Sequence, residues 1–173
     1  MVDVEELRAR IVTHLPLRVR WHVHETPWDF DFARARCPLK ALEPSDFQPD
    51  FCEEWRDLII FGEEDYAEGG GARPFLTIHR ETGEILGFDI DRHTKPAALL
   101  TMHERIHVPI YTLNSSIEGF IRSFAILDEA LRLGSRALEG LADALRLADP
   151  SVFDSSEWKD VAAWVEEWRT KAS

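Results

Sequence analysis

Apolar and polar positions along this chain follow two periods, and each marks a different kind of element. Leu17-Arg18-Val19-Arg20-Trp21-His22-Val23 switches at every residue, the period of a strand with one buried face. Ile117, Phe120, Ile121, Phe124, Leu127 and Leu131 recur every three or four residues and predict a helix over about 115–132. The chain enters that helix from an apolar strand over 109–113. Ser115 and Glu118 form an S-x-x-E capping box there, in which each side chain satisfies a backbone N–H of the first turn.

The same reading extends to both sides. Val4, Leu7, Ile11 and Leu15 predict a helix over 3–14, which Pro16 ends. Residues 25–50, rich in Pro, Asp and single aromatics, read as a long loop packed by Trp28, Phe30, Phe32 and Phe47. Leu58-Ile59-Ile60-Phe61 is a short strand ending at Gly62, and Glu68 to Pro74 a glycine-rich loop. Residues 75–79 and 84–90 form a hairpin whose turn ends on Gly83, the residue suited to positive φ. Residues 97–102 suit either a strand or a helical turn. Helices follow at about 135–148 and 156–171. The last shows Trp158, Val161, Val165 and Trp168 on one face and Asp154-x-x-Glu157 at its start. A helix, then strands, then helices predicts an α+β fold. Its antiparallel-rich mixed sheet carries an N-terminal helix and C-terminal helices packed on it.

Length and composition narrow the class. With 173 residues, 45% hydrophobic and 30% charged, residues 1–173 are expected to form a single soluble globular domain. No apolar run approaches the roughly 20 residues that span a membrane. The acidic start, Met1-Val2-Asp3-Val4-Glu5-Glu6, lacks the basic and apolar regions of a signal peptide. The expectation is therefore a cytoplasmic protein, with Cys37 and Cys52 as reduced core residues rather than a bridge.

The formal net charge is −12, unevenly spread. Within residues 53–68, Glu53, Glu54, Asp57, Glu63, Glu64, Asp65 and Glu68 face one base, Arg56. Such a surface repels nucleic acid and anionic membrane and attracts a basic partner. The competing reading is a solvated face that aids solubility.

Candidate chemistry is sparse. His103-Glu104-Arg105-Ile106-His107 matches the H-E-x-x-H pattern of zinc proteases. Pro96 and Pro109 leave little room for the helix that pattern requires, and no His follows residue 107 to act as third ligand, so a polar connecting loop is the preferred reading. His22-x-His24 sets two rings on one side of a strand, without an evident third ligand. Gly69-Gly70-Gly71 lacks the Lys-Ser/Thr of a phosphate-binding loop, and no Ser sits in G-x-S-x-G. Asn114-Ser115-Ser116 is a glycosylation sequon, of no consequence in the cytoplasm. The expectation is a non-enzymatic binding protein with no catalytic residue, cofactor or metal.

One set of segments carries a resemblance. Trp55-x2-Leu58-Ile59-Ile60-Phe61-Gly62, Phe75-Leu76-x-Ile78, the Thr82-Gly83-Glu84-Ile85 turn, Phe88-Asp89 and Leu113-Asn114-Ser115-Ser116-Ile117-Glu118-x-Phe120 resemble the SUKH superfamily, nearest its fourth immunity group. The similar region runs from about residue 55 to 131, with 149–158 similar to that group's C-terminal segment and a last helix at about 155–171. The resemblance implies an α+β immunity protein that binds and neutralises a cognate toxin of a bacterial polymorphic or contact-dependent system. The same superfamily includes regulatory interaction scaffolds, which are the alternative; a zinc hydrolase at His103, Glu104 and His107 is a remoter one. The family supplies no motif of contact residues. From charge alone, Glu63, Glu64, Asp65, Tyr66 and Glu68 are expected to meet a basic surface on the toxin, such as a nuclease or deaminase face.

Overall fold

The computed structural model describes residues 1–23, 26–43, 53–65, 75–88, 110–133 and 139–171. Helix α1 (Val4–His14) is capped by Asp3, whose carboxylate accepts the N–H groups of Glu5 and Glu6 at 2.9 and 3.0 Å. Strands β1 (Arg18–Val23), β2 (Thr26–Asp31), β3 (Lys40–Ala41), β4 (Leu58–Asp65), β5 (Phe75–His79), β6 (Ile85–Phe88) and β7 (Ile110–Asn114) follow. Among the described residues three helices follow β7: α2 (Ile117–Leu133), α3 (Leu141–Ala148) and α4 (Glu157–Lys171). The α+β class expected from the pattern is the one observed.

The strands form one curled sheet in the order β1-β2-β4-β5-β6-β7, with β3 also beside β4. Every described pairing is antiparallel. Side chains alternate across it. Trp21, Trp28, Phe30, Ile59, Phe61, Leu76, Ile78 and Ile85 face the helices and join Leu7 and Ile11 of α1, Phe120, Phe124 and Leu127 of α2, and Trp158 and Val165 of α4 in the main core. The rings of Trp21, Phe30, Phe32 and Phe124 pack at centroid separations of 4.9 to 6.1 Å, in the range where aromatic pairs add to plain burial. On the opposite face, Leu58, Ile60 and Phe75 form a second, smaller core with Leu42 and Trp55.

Three expectations need correction. Residues 26–31 are a strand, paired with β1 over all six of its residues, not loop. Their polar Asp29 and Asp31 face outward while Trp28 and Phe30 are buried, an alternation masked by Pro27 and the density of acids. Strand β4 does not stop at Gly62. A bulge between Ile60 and Gly62 lets it continue to Asp65. Gly62 is required there, since a Cβ would sit 2.9 Å from the Phe32 ring. Helix α3 begins at Leu141 after a turn at 139–140, with Gly140 at φ +79°, so no unbroken helix runs from about 135 to 148. The hairpin turn is as expected, with Gly83 at φ +80°. Residues 97–102 lie outside the described residues.

Candidate functional site

The acidic window was the expected contact surface, and β4 divides its members. Because side chains alternate, Glu63 faces outward opposite Asp31, and Glu64 faces inward opposite Phe30. Glu63 does not stand alone: Arg34, whose guanidinium also lies 5.3 Å from the centre of the Phe75 ring, pairs with it at 2.6 Å. Glu64 is only 3% exposed. Its carboxylate accepts from Trp28 Nε1 at 2.8 Å and from the Tyr111 hydroxyl at 3.3 Å. Glu64 is therefore not a rim charge, which corrects the sequence expectation. Asp65 stands opposite Asp29 in register, and Tyr66 and Glu68 lie outside the described residues. One sign was available in the sequence: Glu63-Glu64-Asp65 continues the period of a strand already under way.

Around Glu63, the outer face of β1, β2 and β4 carries ordered rows of charge. Arg18 pairs with its cross-strand neighbour Asp31 at 2.8 Å, and Arg20 holds Asp29 through two contacts of 2.6 and 2.5 Å. The rows line a shallow groove of about 590 Å³. Each exposed pair is worth on the order of 0.2–1 kcal/mol, so this face is organised more than it is stabilised. Of the acids in the 53–68 window, Glu63 is matched by an arginine distant in sequence, Arg34, and on the same face Asp29 and Asp31 are matched by Arg20 and Arg18.

A second polar centre was missed in the sequence. Asp149, 5% exposed, accepts the Ser115 N–H at 2.7 Å, the Ser115 hydroxyl at 2.9 Å, the Ser151 hydroxyl at 2.8 Å and the Asn114 amide at 3.2 Å. Burial pushes its carboxyl up, but these donors outweigh it and hold the group below its ordinary value. Asn114 also donates to Ser123 and accepts from Trp158 Nε1 at 2.6 Å. The network ties β7, the start of α2 and the start of α4 together. It also replaces the expected capping box. Ser116, not Ser115, accepts the N–H of Gly119, and Glu118 pairs with Arg10 of α1. Asn114 is fully buried, as a glycan acceptor cannot be.

At the start of α4, Asp154, Glu157 and Asp160 line a polar groove against Tyr111 and Thr112. Burial and then the neighbouring Asp160 charge raise the Glu157 carboxyl above its ordinary value. The remaining sequence candidates are not assembled. His103, Glu104 and His107, His24, Gly69 to Gly71 and Cys52 lie outside the described residues. His22 is exposed on β1. Cys37 is an exposed free thiol, not the core residue expected, because it follows the short turn at 33–36 at the surface. Among the described residues no group of His, Cys, Asp and Glu has a metal-binding arrangement, and no helix is long and apolar enough to cross a membrane.

No protein-family model, curated protein or solved structure matches this chain.

Proposed function

We propose that this chain is a SUKH-like immunity protein that binds and neutralises a cognate bacterial toxin. One observation carries the reading. The segments that resemble the superfamily are neighbours in space as well as in order. Trp55 lies in the turn before β4, Leu58 to Gly62 on β4, Phe75 to Ile78 on β5, Gly83 in the hairpin, Ile85 to Phe88 on β6, and Leu113 to Phe120 across the step from β7 to α2. Those four strands are consecutive in the sheet, and α2 packs on their inner face. A pattern scattered over Trp55 to Phe120 thus belongs to one structural unit, which supports a reading made by resemblance.

The mechanism is occlusion by tight binding. The net charge of −12 favours encounter with a basic toxin surface, and exposed acids beside the interface speed association in a salt-dependent way. Of the expected contact residues, Glu63 is the one whose side chain is described on the outer face. The test is co-expression with the toxin encoded beside this gene. Growth rescue together with a complex that survives gel filtration is expected; the absence of both sinks the reading. A stable complex with a protein that is not a toxin favours the regulatory scaffold. The zinc hydrolase requires stoichiometric zinc in the purified protein, lost in His103→Ala.

A further inference from the structure

Among the described residues the sheet ends at β1, and the phase of its hydrogen bonds says which groups face outward. Phe32 N–H donates to Leu17 C=O at 2.9 Å, and the register sets Arg18 opposite Asp31. Hydrogen-bonded and non-hydrogen-bonded pairs alternate, so residues 19 and 21 bond to β2, while the backbone groups of Arg18, Arg20 and His22 point to the edge. Pro27 agrees with this phase. It stands opposite His22, where a β2 residue has no N–H to give to β1. Among the described residues no strand pairs with the outer side of β1.

The side chains at these positions decide what can be added. Reading from the edge inward, one row runs Arg18, Asp31, Glu63, and in the next Arg20 stands beside Asp29. Arg18 and Arg20 are 74% and 63% exposed despite their pairing. A further strand sets its own side chains directly against them. Like charges opposite one another are destabilising and opposite charges stabilising. Antiparallel pairing with the β1 edge of a second copy is disfavoured, because every register that keeps the faces aligned sets Arg or His opposite Arg or His.

We propose that the β1 edge accepts an extended segment of a protein partner that carries acidic residues at alternate positions, opposite Arg18 and Arg20. This rests on the reading of the chain as a protein-binding module and names a chemistry for part of its contact. The probe is a blocked octapeptide alternating Glu and Val, compared with its Lys-Val counterpart, with amide hydrogen exchange as the readout. The acidic peptide is expected to protect the amides of residues 18, 20 and 22 and to bind about tenfold better than the basic one, the size of two cross-strand charge pairs. The preference reverses in the double substitution Arg18→Glu, Arg20→Glu. His22→Pro removes an edge donor while sparing the bonds to β2, and binding falls in a protein that still melts cooperatively. Absent protection, protection elsewhere, or a preference unmoved by the double substitution overturns the proposal. Run beside the co-expression assay, the two readings fail separately. Rescue without peptide binding removes only the edge, and peptide binding without rescue removes only the toxin.

Discussion

Glu64 and Asp149 are the two buried acids of the described structure, and the protein accommodates them differently. Asp149 sits at the positive end of α2, where a backbone N–H, two hydroxyls and an amide converge on it. Glu64 sits among rings and accepts from an indole and a phenol carried by β2 and β7. Asp149 is held by polar groups of one chain junction, Glu64 by aromatic groups drawn across a curled sheet. In each case a glycine makes the approach. A Cβ on Gly119 would lie 2.5 Å from Asp149 Oδ2, and one on Gly87 would lie 2.0 Å from the Tyr111 ring. A buried carboxylate is stable where donors are already in place, and both sites keep space open for those donors to reach it.

The sharpest way to break the comparison is Asp149→Ala. It strands the Ser115 N–H and the Asn114 amide, and should cost about 3–4 kcal/mol in chemical denaturation. Asp149→Asn, which keeps one acceptor, should cost less. The pH dependence follows from the lowered carboxyl. A group whose folded value lies below its unfolded value stabilises the fold above the unfolded value, and that contribution fades as pH falls through the folded one. The wild-type protein should therefore lose stability below about pH 4 more steeply than Asp149→Asn, as denaturation midpoints across pH will report.

Glu64→Ala comes next, at about 2–3 kcal/mol, because two aromatic donors lose their acceptor; Glu64→Gln, keeping an oxygen, should recover at least half. If Glu64→Lys proves harmless to stability, the burial argument fails. Gly87→Ala should cost about 1–3 kcal/mol by displacing Tyr111. Its effect should shrink in a Glu64→Gln background, since both act on one contact, and a double-mutant cycle measures this. The smallest effect belongs to the exposed pairs: Glu63→Gln should change stability by no more than about 1 kcal/mol, which separates the outer face from the buried acid one residue away.

These two sites also show where sequence reading runs out. Asp149 precedes a proline and looks like turn punctuation; Glu64 lies in an acidic run and looks solvated. Little that is local distinguishes either from its exposed neighbours, because apart from Ser151 beside Asp149 their donors lie 34 to 47 residues away. Ser115 was legible as belonging to a helix start, but its partner was not, so the cap passed to Ser116.

The sequence by itself determined the elements whose pattern is local. The apolar face of α2, the Gly83 hairpin and the end of α1 all follow from spacing and turn chemistry, which act over a few residues. The tertiary structure alone decided the pairing of β2 with β1, the continuation of β4 through its bulge, and the side of the sheet each acid faces. These depend on register, where one residue of shift exchanges inside for outside. Within one acidic run, that alternation buries Glu64 and leaves Glu63 on the outer face, paired with Arg34.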